Sequence, residues 1–307
     1  TRGSGDVAIS SVGTGNLLLD VVNILDGDLT VTALGTVELG QVTIATESSS
    51  DGSDDNVITI DTTGSVGAGD ILVRFAGFRN YVETSNGSLA RQIARLDNGN
   101  VVFDQNGAVV FDLVAVASLI SDGDIVLRAK GRVTESSVDD DVDLIADSLT
   151  IRAASGVVGL EVTVNELPEI LTSGGDIQIA DFDRTAEFNE GLIVGRVQTA
   201  QNAGTIVSIT AANDLRLTAS SNVRGDTIRL TSEGGNLEVV APSQGDVLEY
   251  TRGIAFAAAE TVSLYRFFAA PELIEYRAGV AMQFGTTGNR SSQIPGNLSA
   301  ASIILET

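Results

Sequence analysis

Cysteine and histidine are both absent from the chain, and tryptophan is absent too. Without cysteine there are no disulfides and no thiolate metal ligands. Without histidine there is no Ser-His or Cys-His nucleophile, no imidazole base and no zinc site of the usual ligand set. Lys130 is the single lysine, so the basic residues are almost all arginine. Aromatics make up only 5% of the residues, which suits a narrow core filled by Val, Ile, Leu and Ala. No apolar run reaches the roughly 18 residues that would cross a bilayer as a helix.

Charge of one sign is scarce as well. Against 41 acidic residues stand 18 basic ones, a net charge of -23. That balance excludes binding of nucleic acid by phosphate neutralisation and opposes adsorption to an anionic membrane. The chain begins at Thr1 with neither Met nor a leader, and is expected to be a piece or processed product of a longer precursor. With 307 residues, 43% of them hydrophobic, it can bury a large core. The 33 glycines beside 4 prolines fit many tight turns between short strands.

The stretch 205–240 shows what those turns separate. Val207/Ile209, Leu215/Leu217, Ile228/Leu230 and Leu237/Val239 alternate with polar residues, the period of half-buried strands. Between the pairs lie Asn213-Asp214, Gly225-Asp226 and Gly234-Gly235-Asn236, which turn the chain. Val207 and Ile228 are separated by 21 positions, Leu215 and Leu237 by 22. A unit of turn, strand, turn and strand returning at that interval describes one coil of a β-solenoid.

The unit has a recurring opening of Gly, then Asp or Asn, then an aliphatic residue. It begins at Gly5, Gly15, Gly27, Gly69, Gly99, Gly123, Gly175, Gly235, Gly245 and Gly296. Glycine can take the corner conformation, the Asp or Asn is expected to cap the turn, and the strand then points alternate side chains inward. The fold expected is all-β: a parallel β-helix of short strands with loops inserted at its corners, one domain over 1–307. Four irregular stretches break the rhythm. Residues 46–56, 135–141 and 181–191 read as polar corner loops. In 76–98, Leu89, Ile93 and Leu96 fall at helical spacing and predict a short helix over 88–96. From residue 250 onward, half of the 14 aromatics gather. Phe256, Tyr265, Phe267, Phe268 and Tyr276 could form an interface with a partner or a sugar, or fill a wider last set of coils.

The runs A-A-N-D-L-R-L-T-A-S-S-N-V at 211–223 and G-D-I-V-L-R-A-K-G-R-V at 123–133 resemble repeats of large bacterial surface proteins of the filamentous-haemagglutinin type. The resemblance covers most of the chain as a style of repeat. It implies a parallel β-helix, a secreted or cell-surface location and an adhesin or fibre role. It carries no catalytic residue across.

The function expected is structural: a self-associating fibre, matrix or adhesin module, without enzymatic activity. End-to-end association is expected through Val7 and Ile9 at one end and Ile303, Ile304 and Leu305 at the other. A solenoid exposes an unpaired strand edge at each end, and neither stretch carries a charged cap. One rival is a glycan-binding or calcium-dependent polysaccharide-degrading β-helix, drawing on Asp139, Asp140, Asp141 and Asp143 with Arg128, Lys130 and Arg132 on the preceding strand. Another is a passive stalk of a giant secreted protein. Calcium would find hard oxygen ligands at Asp51/Asp54/Asp55, at Asp139/Asp140/Asp141 and at Asp181/Asp183.

Overall fold

A computed structural model describes residues 5–24, 27–44, 56–73, 81–83, 89–94, 96–97, 100–101, 111–115, 119–121, 123–135, 142–182, 191–200, 204–242, 247–250, 252–264, 273–279, 281–284 and 302–306. These residues are all-β, with no helix among them. Two large sheets of 12 and 13 strands hold most of the strands, and every pairing within them is parallel. No described helix is long and apolar enough to cross a membrane.

The alternation read from the sequence explains why the sheets are parallel. The chain passes from one sheet to the other and returns, so each strand lies beside the one laid down a circuit earlier. Identical phase brings like residues into register. Val207 is aligned with Ile228, and Leu215 with Leu237, at the spacings noted above. One inward column runs Val31, Ile60, Leu127, Ile151, Ile170, Val197, Val223 and Leu248, all buried. Each such side chain removes enough apolar surface from water to contribute about 1.5–3 kcal/mol. The core is therefore a set of aliphatic columns between two sheets, continuous from Leu19 to Ala278.

The Gly-Asx openings do a different job from the one expected. At five of them the carboxylate or amide oxygen caps an amide of the neighbouring strand, not of its own turn. Asp6 Oδ1 accepts from Asp28 N at 3.1 Å, and Asp28 Oδ1 accepts in turn from Val57 N at 2.9 Å. Asp70 accepts from Arg132 N at 2.8 Å and Asp176 from Ile206 N at 2.8 Å. Asn236 accepts from Thr261 N at 3.3 Å. The signature is a side-chain ladder that satisfies corner amides the sheets leave over. Replacing Asp176 by alanine is expected to cost about 1–2 kcal/mol, because it strands a corner amide. Asn at that position, whose oxygen still accepts, keeps most of the stability; urea unfolding of the two variants measures the difference.

Glycine at these corners answers to the same close approach. A Cβ on Gly27 would sit 2.6 Å from the carbonyl carbon of Gly5, and its φ of +105° is open to glycine.

The expected helix at 88–96 is not formed. Leu89–Ala94 is a strand, antiparallel to both Tyr81–Glu83 and Phe111–Ala115. Nine residues make a helix too short to hold by propensity alone, and strands on both sides offer backbone partners that outweigh it. Leu96–Asp97 and Asn100–Val101 form a small hairpin of their own. These antiparallel elements lie between Ile71–Val73 and Leu119–Ile120, two short strands that share one parallel neighbour, Val37–Ile44. An insertion has opened the middle of what would be a single strand. The next strand is opened in the same way: Val133–Glu135 and Leu144–Ile145 both pair with Val157–Thr163, and the acidic stretch 136–141 lies between them in sequence.

Candidate functional site

Three carboxylates meet where that second strand is opened. Glu135 ends the first half, Asp143 precedes the second half, and Glu161 comes from the unbroken strand that pairs with both. One oxygen from each lies within 4.8 Å of the others. The local fold brings them together for simple reasons. Alternation puts Glu135 in phase with inward-facing Val133, and its register partner is buried Val73. The register of Leu144 with Val162 sets the preceding residues, Asp143 and Glu161, side by side. Backbone bonds fix the arrangement: Asp143 N donates to Glu161 O at 2.7 Å, and Glu161 N to Asp143 Oδ2 at 3.1 Å. Gly159, with φ of +70°, lies beside the cluster on the strand of Glu161, and a Cβ there would be 3.8 Å from Glu135 Oε2.

Electrostatics follow from the burial. Asp143 is 4% exposed, and desolvation, aided by Glu135 and Glu161 close by, pushes its carboxyl up to about 9. At neutral pH it holds a proton and can donate it to a neighbouring carboxylate. The cluster offers a shared proton, or oxygen donors at a spacing that a hard divalent cation with bonds of about 2.3–2.6 Å can bridge. Neither chemistry involves a surface groove: none of the three residues lines either of two grooves, of about 620 Å³ and about 590 Å³, on the sheet that contains Leu192–Gln198.

Sequence reasoning singled out Asp143 only as an adjunct to Asp139, Asp140 and Asp141, and it passed over Glu161. Glu135 was visible as the first residue of an acidic stretch. No periodicity marks Glu161, which alternates in step with its strand; only the parallel register brings it to Asp143.

The other residues of interest are distributed as follows. Asp51, Asp54, Asp55, Asp139, Asp140, Asp141 and Asp183 lie outside the described residues. Asp181 is buried at the end of Ile177–Asp181, and its Oδ1 accepts from Val164 N at 3.2 Å. Phe256 and Tyr276 do not form an exposed surface. Both are fully buried, stacked in adjacent strands with ring centroids 5.5 Å apart, where preceding strands supply Ile209 and Leu230. They fill the core because this column of the last strands takes rings in place of aliphatic side chains. Tyr265, Phe267 and Phe268 lie outside the described residues. Val7 and Ile9 are half-buried on Val7–Ser11 and pack against the core. Ile303, Ile304 and Leu305 belong to Ser302–Glu306, parallel to Leu273–Ala278.

No family model, curated protein or solved structure matches the chain.

Proposed function

We propose that the two parallel sheets are the faces of one β-solenoid, and that this solenoid is a structural, non-catalytic module of a secreted or cell-surface protein. Its repeats are of the filamentous-haemagglutinin style, and its work is to extend and to stack on copies of itself. The observation that carries the reading is the state of the edges. Val7–Ser11 and Leu17–Ile24 each have one hydrogen-bonded neighbour among the described strands, and so do Ala281–Phe284 and Ser302–Glu306. All four belong to parallel sheets. A second copy translated along the stack would lay Ser302–Glu306 beside Leu17–Ile24 and Ala281–Phe284 beside Val7–Ser11. Such a head-to-tail contact propagates.

The side chains at the first edge favour that occupant. Val12, Leu18 and Val21, half of the six large hydrophobics exposed among the described residues, lie on or next to these two strands. Val7 and Ile9 pack inward, so the contact is made by the backbone edge and by the exposed trio. The strongly acidic composition opposes lateral clumping. Sedimentation velocity tests this directly. The native chain is expected to form larger species as concentration rises, and Leu18→Lys with Val21→Lys to keep it small, since lysine on an edge strand blocks pairing. A native chain that stays monomeric at every concentration, indistinguishable from the variant, would overturn the proposal.

A further inference from the structure

A second surface feature has a chemistry of its own. The groove of about 590 Å³ follows the ends of successive strands of the 12-stranded sheet, from Thr63 beside Ile58–Asp61 to Arg224 at the end of Leu215–Arg224. Although 41 of the 307 residues are acidic, none of the described residues that line it is, while Arg152, Arg196 and Arg224 do line it. Their side chains remain 61%, 53% and 46% exposed. The rest of the lining is mostly small or polar, with Thr172, Ser173, Gln198 and Thr199 among four alanines, and Leu171 is its one large apolar residue.

The arginines are held in place by one connected set of polar contacts with neighbours on the same face of the sheet. Arg152 Nε donates to Glu169 Oε1 at 2.7 Å, and the other oxygen of Glu169 meets Arg196 Nη1 at 3.5 Å. Arg196 Nη2 donates to Gln198 Oε1 at 3.1 Å, and Gln198 Nε2 donates to Asn222 Oδ1. Asn222 Nδ2 reaches Glu249 Oε1 at 3.2 Å, and the second oxygen of Glu249 lies 3.7 Å from Arg224 Nε. Glu169 and Glu249 thus orient guanidinium groups without lining the groove themselves. Arg128 lies in register beside Arg152 on the next strand, outside the groove, with Asp61 as its partner on the other side.

We propose that this groove binds a linear anionic polysaccharide, carrying carboxylate or sulfate groups, laid along the stack of strands. Five inter-strand spacings of about 4.8 Å make the groove about 24 Å long, so the ligand is extended. Successive arginines are one or two strands apart, about 5–10 Å, the order of spacing of a polymer with one anionic group on each sugar or every second sugar. Exposed Ser173 offers a hydroxyl beside the arginines, and the alanines leave a shallow floor. Duplex DNA, with one charge per about 1.7 Å, is far denser than this array and is repelled by the chain as a whole. The proposal does not rest on end-to-end stacking.

Affinity electrophoresis of the 307-residue chain at low ionic strength tests it, using Leu18→Lys/Val21→Lys as background so that stacking does not interfere. Polygalacturonate supplies carboxylates, dextran sulfate supplies sulfates, and dextran and polyglutamate serve as neutral and peptidic comparisons. Retardation by one or both anionic polysaccharides, not by dextran, is expected, and the stronger of the two identifies the anionic group. Arg152→Gln with Arg196→Gln is expected to weaken binding roughly tenfold or more, the scale of losing charge-assisted hydrogen bonds. Ser173→Glu, which removes no arginine contact and places a negative charge in the groove, is expected to do the same with an unchanged far-UV spectrum. Binding equal in native and variant chains, retardation by neither polysaccharide, or stronger retention by polyglutamate would each overturn the proposal.

Discussion

Asp143→Asn is expected to make the protein more stable, and increasingly so as pH rises. Folding buries this carboxyl between Glu135 and Glu161 and moves it from its ordinary value of 3.8 to about 9. Between those values the native state keeps a proton that the unfolded chain releases. Stability contributed at this position is therefore full below about pH 4 and lost progressively up to about pH 9, by at most about 1.4 kcal/mol per pH unit. Asparagine presents the same oxygen to Glu161 N, donates from its amide to the neighbouring carboxylates and has no proton to lose. Native and variant chains should unfold alike near pH 4. By pH 8 the variant should lead by several kcal/mol, the sum of that slope over about four units. Thermal unfolding of the pair across pH measures the divergence. Parallel curves would show that Asp143 is ionised in the folded protein.

Substituting Gly175 with valine is expected to have the largest destabilising effect of any single corner change. Its φ is +78°, and a Cβ there would lie 2.1 Å from the carbonyl oxygen of Ser155, on the corner of the neighbouring level. A left-handed conformation costs a branched residue about 1–2 kcal/mol, and forced separation of packed backbone adds about 1–3 kcal/mol. Gly174, immediately before it, has nothing within 4 Å of the corresponding position, and Gly174→Ala is expected to be nearly neutral. The contrast between adjacent glycines is the useful measurement, made by chemical denaturation of both variants. Equal effects would mean that corners of successive levels do not approach as closely as the parallel stack requires.

The parts of the fold that could be read from sequence are those governed by short-range periodicity. Val207, Ile228, Leu215 and Leu237 declare both their inward phase and their circuit length, because parallel pairing in constant phase leaves little freedom in register. The Gly-Asx openings were visible as corners, yet their hydrogen-bond partners lie some 20 to 60 positions away, as Asp6 to Asp28 and Asp70 to Arg132 show. A tripeptide gives no indication of such partners. Residues 88–96 mislead because Leu89, Ile93 and Leu96 fit a helical face while their neighbours supply strands. The candidate sites were hidden for the same reason as the ladder. Glu135, Asp143 and Glu161 lie on or next to three strands, and Arg152, Arg196 and Arg224 on three others, each group joined only by register. Phe256 and Tyr276 show the converse case: aromatic enrichment is legible, but which side of the strand it occupies depends on the column it continues.

Electron microscopy of the purified chain over a range of concentrations tests the structural reading most directly. Eleven levels along the 12-stranded sheet, separated by ten spacings of about 4.8 Å, would make each copy of the proposed solenoid a rod roughly 50 Å long. Rods of that length at low concentration, growing into filaments in multiples of it as concentration rises, are what a self-stacking solenoid predicts. Compact particles of one size at every concentration would contradict it.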